Sequence, residues 1–222
     1  MILAGNQSSI FCSQYPIIQM EDSKLAADVI SIQGSKEAEA LSALWNAEVL
    51  DPVSLGFIPS IWKNKPVSLA NLRESYFSKK NNVNRRFEHK LWNALRITQL
   101  YPNYLPVVGV EWVSNEVIKV YKHPFAHLLG ISAVDGGLFH KQGNFTRHGF
   151  VEVTEEEIKN TINQSALSDV DHRDVHIVSN KEGSFTANST EESINTCKWV
   201  NPVGASRVAI LNVGTNPPMP EN

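Results

Sequence analysis

The segment from Asn84 to Phe150 constrains the fold of this chain more than any other, because it contains helix and strand patterns in a fixed order with clear breaks. Apolar side chains recur at helical spacing from Phe87 to Thr98, and Asn84 precedes them as a suitable N-cap. Tyr101 ends this pattern, because a residue before proline is disfavoured in the helical conformation. The segment therefore opens with one amphipathic helix.

Two β-prone runs and a short helix follow. Val110 to Trp112 and Val117 to Val120 flank a turn-forming Ser-Asn pair, which predicts a small hairpin. Pro124 suits the first turn of a helix, and Gly130 suits its end because glycine accepts the left-handed backbone of a C-terminal cap. The next helix therefore begins after a tight turn.

A second helix is predicted from about Gly137 to His148. Leu138, Phe139 and Phe145 lie on one side of it. The opposite side carries donor-rich residues, namely His140, Lys141, Asn144, Arg147 and His148. Such residues reach base edges and phosphates in a major groove, although an ordinary solvated helix face is the alternative reading of any one of them.

The remaining strand patterns complete a familiar element order. Phe150 to Val153 predicts one strand and Asp174 to Val178 another, with an inserted acidic helix from Thr154 to about Asn163 between them. Helix, hairpin, helix, turn, helix and a strand pair is the order of a winged helix-turn-helix. We therefore predict a mainly α fold with a small β wing.

The formal charge is distributed unevenly along the chain. The net charge of −3 divides into −5 for residues 1–62, +8 for residues 63–148 and −6 for residues 149–222. The positive charge thus coincides with the predicted helix-turn-helix. A local positive field of this kind favours a polyanionic partner.

A basic run from Ser78 to Phe87 leads into the first helix. Cations there and on the hairpin are expected to contact phosphates, because phosphate contacts tolerate a mobile arm and mainly set register. The predicted phosphate contacts are Lys79, Lys80, Arg85, Arg86, Lys119 and Lys122. The run also resembles a split nuclear import signal.

Three regions are expected along the chain. Residues 1–50 form a partly helical extension, with a helix from Ser35 to Leu50, and residues 51–188 form the winged-helix domain with an acidic insertion near 154–169. Further short helices are expected at Gly56–Trp62 and Val67–Phe77. Residues 189–222 read as a largely irregular tail, whose acidic character suggests recruitment of transcription machinery.

Composition excludes several classes of protein. Cys12 and Cys197 are the only cysteines and lie far apart in the chain, so neither a disulfide framework nor a zinc site is expected and a reducing compartment is favoured. No apolar run is long enough for a signal peptide core or a membrane span. A nuclear location is consistent with both observations.

The ordered motifs resemble a known family. They are NRRF-x-x-KL at 84–91, GVEW at 109–112, the strand at 117–122, LLGI at 128–131, NFTRHGF at 144–150 and GSFT at 183–186. Together they resemble the transcription-initiator DNA-binding domain, the winged-helix domain of the parabasalid initiator-binding proteins, over roughly Leu55 to Thr186. The turn after Ile131 is longer than in the family pattern.

The resemblance implies sequence-specific binding of double-stranded DNA at a core-promoter element, either the initiator or a related motif, to direct transcription by RNA polymerase II. Lys141, Asn144 and Arg147 are the expected readers of base edges, since Arg and Lys favour guanine and Asn favours adenine. No cofactor or metal is expected.

Two other classes of function were considered. An enzyme is disfavoured, because the nucleophile-elbow, phosphate-loop and dinucleotide motifs are absent, and His123 and His127 at i and i+4 lack the rest of a zinc motif. A winged helix used for protein contact is the alternative, with Trp92 or Trp112 as interface anchors, although both tryptophans are expected to be buried.

Overall fold

The computed structural model describes residues 36–154 and 173–197. It divides the chain into two units, residues 1–42 and residues 43–222. A helix, α1, covers residues 36–46, in agreement with the prediction for that region. It begins in the first unit, and every other described element lies within the second. Within the described ranges no helix has the length and apolar character that a membrane crossing requires.

The second unit combines short helices with one antiparallel sheet. Its helices are α2 (Leu69–Leu72) continued by a π-helical turn (Arg73–Phe77), α3 (Phe87–Leu100), a 3-10 turn (Pro102–Tyr104), α4 (Leu105–Val108), α5 (Lys122–Leu129), α6 (Val134–Leu138), α7 (Asn144–Arg147) and α8 (Glu191–Thr196). Its strands are β1 (Val110–Trp112), β2 (Val117–Tyr121), β3 (Phe150–Glu152) and β4 (Val175–Asn180).

The sheet has the strand order β1-β2-β4-β3, and all neighbouring strands are antiparallel. The predicted hairpin is confirmed, since Glu111 pairs with Lys119 across it. The two strands predicted after the second helix are confirmed as well, and they pair with each other through Val151 and Ser179. The sheet thus joins three separate parts of the sequence.

Helix α3 lies at the centre of the second unit. Its predicted apolar stripe is buried, with Phe87, Leu91 and Leu95 at most 1% exposed. The opposite face is buried too, including Trp92 as expected, so nearly every side chain from Phe87 to Thr98 is shielded from water. A helix enclosed on all sides must satisfy its polar groups internally.

Asn93 shows how α3 meets that requirement. Its amide oxygen accepts the backbone N–H of Ile58 at 2.9 Å, and its amide nitrogen donates to the carbonyl of Ile58 at 2.8 Å and to the Tyr76 hydroxyl at 3.0 Å. The neighbouring Arg96 donates from Nε to the carbonyl of Leu55 at 2.8 Å. These contacts hold the loop before α2 against α3, although the loop itself has no regular secondary structure.

Helix α5 has the predicted caps. Pro124 lies in its first turns, Phe125 and Leu128 are fully buried, and the helix ends at Leu129. Gly130 follows with φ of 68°, and a Cβ there would approach the Cβ of Ser78 to 2.9 Å. Both the left-handed backbone and the close contact require glycine at this position.

Some predicted boundaries differ from the structure. Residues 56–62 are turns and loop rather than a helix, whereas 69–77 is helical. Helix α3 starts at Phe87 with Arg86 rather than Asn84 as its N-cap residue, and Arg86 provides no side-chain cap. The predicted helix of the acidic insertion falls almost entirely outside the described residues.

The prediction of an irregular tail is wrong for the first residues of that segment. Thr190 and Ser193 form a capping box, so the segment begins α8 instead of a loop. Ile194 is fully buried and Glu191 accepts bonds from the N–H and hydroxyl of Ser60. The segment therefore packs against the same unit up to Cys197, and residues 198–222 lie outside the described part of the chain.

Replacing Asn93 with alanine is expected to lower the free energy of unfolding by about 3 kcal/mol, because three buried polar groups lose their partner at once. Urea denaturation followed by tryptophan fluorescence measures this change. Asn103→Ala, at an exposed turn, is the matched control and should change stability by less than about 0.5 kcal/mol. Similar losses in the two variants would contradict the central role of Asn93.

Candidate nucleic-acid interface

The predicted second helix is not continuous. Helix α6 ends at Leu138, helix α7 begins at Asn144, and the turn Phe139–Gly143 separates them. The prediction of one helix from Gly137 to His148 is therefore wrong. We refer to Val134–Arg147, which includes both helices and the turn, as the candidate recognition segment.

The turn folds back tightly, and Gly143 permits this. A Cβ on Gly143 would lie 2.5 Å from the carbonyl carbon and oxygen of Leu138, which no side chain tolerates. The side-chain amide nitrogen of Asn144 donates to the carbonyl of Gly137 at 2.9 Å. The hydroxyl of Thr146 donates to the carbonyl of Phe139 at 3.2 Å. Two side chains of α7 thus donate to backbone carbonyl groups at the C-terminal end of α6.

Phe145 anchors the recognition segment in the core. It is 2% exposed, and its ring centroid lies 5.1 Å from those of Phe87 and Phe139 and 5.5 Å from that of Phe150. Aromatic pairs at such distances add to the stabilisation from burial alone. The position of α7 is therefore set by α3 and β3 rather than by its own four residues.

The predicted base-contacting residues occupy different environments. His140 and Lys141 are exposed on the turn, whereas Asn144 and Arg147 are partly buried. Arg147 donates to the side-chain oxygen of Gln142 at 3.1 Å, which holds the guanidinium along the turn. The structure therefore brings these four residues together on one short segment.

His148 is not placed with them. It is 6% exposed, and its Nδ1 lies 2.7 Å from a carboxylate oxygen of Glu88 in α3. A side chain held in the interior by a buried carboxylate cannot reach a base edge. We therefore remove His148 from the predicted base-contacting set and assign it a positioning role at the junction of α7 and β3.

Glu88 connects three parts of the fold. Besides His148, it accepts a bond at 3.0 Å from Arg86, whose other nitrogen donates to the carbonyl of Asn195 at 2.9 Å. Burial acts to raise the pKa of Glu88, but the hydrogen bond from His148 and the charges of His148 and Arg86 outweigh it and hold the pKa below the ordinary 4.5. The sequence contains a signal for this residue, because Glu88 is seven positions before Leu95 and so shares the buried face of α3.

The predicted phosphate contacts also separate into two groups. Lys79 and Lys80 are exposed and Arg85 is partly buried, so all three have access to a polyanion. Arg86 is committed to Glu88 and to the carbonyls of Asn195 and Cys197. Arg86 therefore braces α8 against α3, and its assignment as a phosphate contact is corrected.

The two lysines of β2 and α5 are engaged as well. Lys122 lies 3.1 Å from Asp135 and 3.5 Å from Asp174, and the hydrogen bond to Asp135 raises its pKa. Lys119 has a side chain only 12% exposed and lies 4.0 Å from Glu111. Phosphate contact by either lysine would have to compete with these carboxylates, and for both residues it stays a prediction.

The strand pair β3–β4 contacts the recognition segment through His176. His176 contacts the Glu152 carboxylate and stacks on the ring of Phe139 with centroids 3.7 Å apart. His123 lies 3.2 Å from Asp174. The strand pair therefore supports the turn by stacking.

Comparison with known proteins identifies the family. The family model described as the transcription-initiator DNA-binding domain matches residues 59–177, which is more than half of the 222-residue chain. The chain belongs to this family. Neither a search of the curated proteins nor a search of the solved structures found a match.

Membership of the initiator DNA-binding family implies DNA binding in transcription, and the family is not one of enzymes. The matched range begins before α2 and ends within β4, so it contains α3 and the whole recognition segment. Helix α8, which α3 holds through Arg86 and Asn195, lies outside the matched range. The matched core is therefore extended here by one further packed helix.

Replacing Glu88 with glutamine is expected to lower the free energy of unfolding by about 3 kcal/mol at pH 7, because it breaks a buried ionic network. The lowered pKa of Glu88 means that its contribution is complete above pH 4.5 and is lost as the pH falls through the lower folded-state value. Urea denaturation of both proteins between pH 7 and pH 3 should therefore show the difference shrinking in acid. Glu116→Gln at the exposed hairpin turn is the control, and a pH-independent difference would exclude the ionic origin.

Proposed function

We propose that this protein is a sequence-specific double-stranded DNA-binding protein of the nucleus that reads a core-promoter element, the initiator or a related motif, and directs initiation by RNA polymerase II. The observation that carries the proposal is the family match over residues 59–177. The distribution of exposed cations around the recognition segment supports it. In this proposal the protein has no catalytic role.

The element order supports a winged-helix mode of docking. Helix α3, strand β2, helix α5, the recognition segment and the strand pair β3–β4 follow one another along the chain. In the sheet β4 lies between β2 and β3. A winged helix has this arrangement, with its recognition helix after the second helix and its wing between the last two strands. Strand β1 is an addition at the edge.

The recognition segment would then enter the major groove. Lys141 and Arg147 are proposed to contact guanine, Asn144 to contact adenine, and His140 to add a further donor from the exposed turn. Lys79, Lys80 and Arg85 would contact phosphates beside the groove. The DNA-binding domain is proposed to span residues 51–188. The folded unit continues beyond it and includes α8.

Recruitment of transcription machinery by the C-terminal region stays a prediction for residues 198–222 alone. Its basis was acidic charge, but Glu191 and Glu192 lie within α8. Residues 198–222 contain Glu221 against Lys198 and Arg207, so their charge no longer supports the prediction. Glu191 is already bonded to Ser60. A deletion that tests recruitment should therefore begin after Cys197, so that the packed helix remains.

Replacing Arg147 or Lys141 with alanine is expected to weaken binding of a selected duplex by about 1 to 3 kcal/mol and to relax sequence preference, because a base contact is lost. Lys80→Ala is the matched control, since loss of an exposed phosphate contact should weaken all duplexes alike. The measurement is selection of duplexes from a random pool, followed by titration of selected and scrambled sequences. Uniform weakening by all three variants would exclude base reading by the recognition segment.

A protein-binding role has support from a separate cleft. A cavity of about 520 Å³ is lined by the apolar side chains of Ile61, Trp62 and Leu72 and by the cations Lys63, Lys65 and Arg85. Ile61 is 65% exposed. The buried indole N–H of Trp62 has no acceptor among the described residues. These features suit an acidic peptide with one large apolar side chain.

A short fluorescent peptide with one phenylalanine between aspartates tests this second role. Binding is expected to weaken about tenfold in the double variant Lys63→Glu and Lys65→Glu, because charge complementarity is inverted at the rim. Replacement of the phenylalanine by serine is the matched control for the apolar contact. Equal binding of the two peptides, or no effect of the charge reversal, would exclude this cleft as a peptide site.

A further inference from the structure

A second, smaller cleft lies next to the recognition segment. It has a volume of about 270 Å³ and is bounded by the loop before α3, by α3 itself, by the turn after α5 and by the first residue of α7. Its lining residues are Ser78, Lys79, Lys80, Asn81, Phe87, Lys90, Leu129, Ile131 and Asn144. Three of these are lysines, and none is acidic.

Lys90 is the unusual member of this set. It is only 4% exposed, and its ammonium group donates to the backbone carbonyl of Lys79. Lys79 and Lys80 line the same cleft, and Arg85, at the end of the loop before α3, is the charged group that acts on Lys90. Burial and the charge of Arg85 lower the pKa of Lys90 to about 8.

This environment contrasts with that of Glu88, two residues earlier on the same helix. The Glu88 carboxylate has both Arg86 and His148 as partners. The Lys90 ammonium has a backbone carbonyl as its hydrogen-bond partner and the cation Arg85 as the charge that acts on it, although a buried charge is normally paired with an opposite one. Lys90 therefore costs stability in the free protein, and an anion in the cleft would remove that cost.

We propose that this cleft is a phosphate-anchoring site, in which Lys90 from below and Lys79 and Lys80 from the rim hold one phosphate of the DNA backbone. The side chain of Asn81 is a neutral donor of the site, and Asn144 borders it. The inference rests on the proposed function and deepens it, because it adds a buried anchor that sequence analysis did not identify. A phosphate held beside Asn144 would set the register of the recognition segment on the duplex.

Lys90→Met separates this role from a structural one. The variant should unfold at higher urea than the wild type at pH 7, because it removes a buried, poorly paired charge of similar length. It should nevertheless bind every duplex about tenfold more weakly, with a log-log salt slope shallower by about 0.9. Lys36→Met removes an equal charge from an exposed position of α1 and is the control, with less than about a twofold effect expected.

The pH dependence gives a second readout. Because the pKa of Lys90 is lowered from 10.5 to about 8, its cation is lost as the pH rises from 7 to 9, and duplex affinity should fall over that range in the wild type but not in Lys90→Met. Over the same pH increase the wild type should gain stability, since the unfolded chain binds more protons there. Opposite trends of affinity and stability are the expected signature.

Inorganic phosphate, without DNA, tests the cleft independently of the proposed function. Titration followed by nuclear magnetic resonance should shift the amide signals of Lys79, Asn81 and Asn144 in the wild type and not in Lys90→Met. Shifts confined to the cleft without binding of any duplex would support a phosphate site while excluding the DNA-binding role. Normal duplex binding by Lys90→Met, or shifts spread evenly over the exposed lysines, would overturn the cleft assignment and leave the DNA-binding proposal in place.

Discussion

The structure depends on the burial of both faces of α3. One face carries the apolar stripe of Phe87, Leu91 and Leu95, and its burial provides the main driving force for folding. Polar side chains lie beside this stripe and on the opposite face, and they are shielded just as completely. A buried polar group without a partner is destabilising, so the segments that surround α3 are those that supply hydrogen-bond partners to it.

Each polar residue of α3 therefore holds one surrounding segment. Glu88 holds His148, the residue directly after the recognition segment. His89 contacts the side chain of Asn195 in α8, and Thr98 donates to the carbonyl of Val110 in β1. None of these surrounding segments has a strong structural preference of its own, since most are helices or strands of three to six residues. Their positions follow from the polar sequence of one helix.

The cations of residues 63–148 are of two kinds, those bonded within the domain and those exposed to solvent. Arg86 and Lys122 contact carboxylates inside the domain and contribute to its architecture. Lys79, Lys80 and Lys141 remain accessible to a polyanion. The positive charge of residues 63–148 therefore overstates the charge available for DNA, and the part that is available lies beside the recognition segment, with Lys90 buried below the adjoining cleft.

The sequence by itself determined the order of the elements. Local signals at Pro124 and Gly130 act within a few residues, so the hairpin, α5 and its end were predictable. Tertiary structure decided the break in the recognition segment, the interior position of His148, the bonding of Arg86 to Glu88 and Asn195, and the packing of α8. Helix α8 continues the folded unit to Cys197. The last three of these outcomes depend on partners 60 or more residues away in the chain, as in the Glu88–His148 contact. Helical periodicity identifies a face, but it does not show whether a second face is also covered.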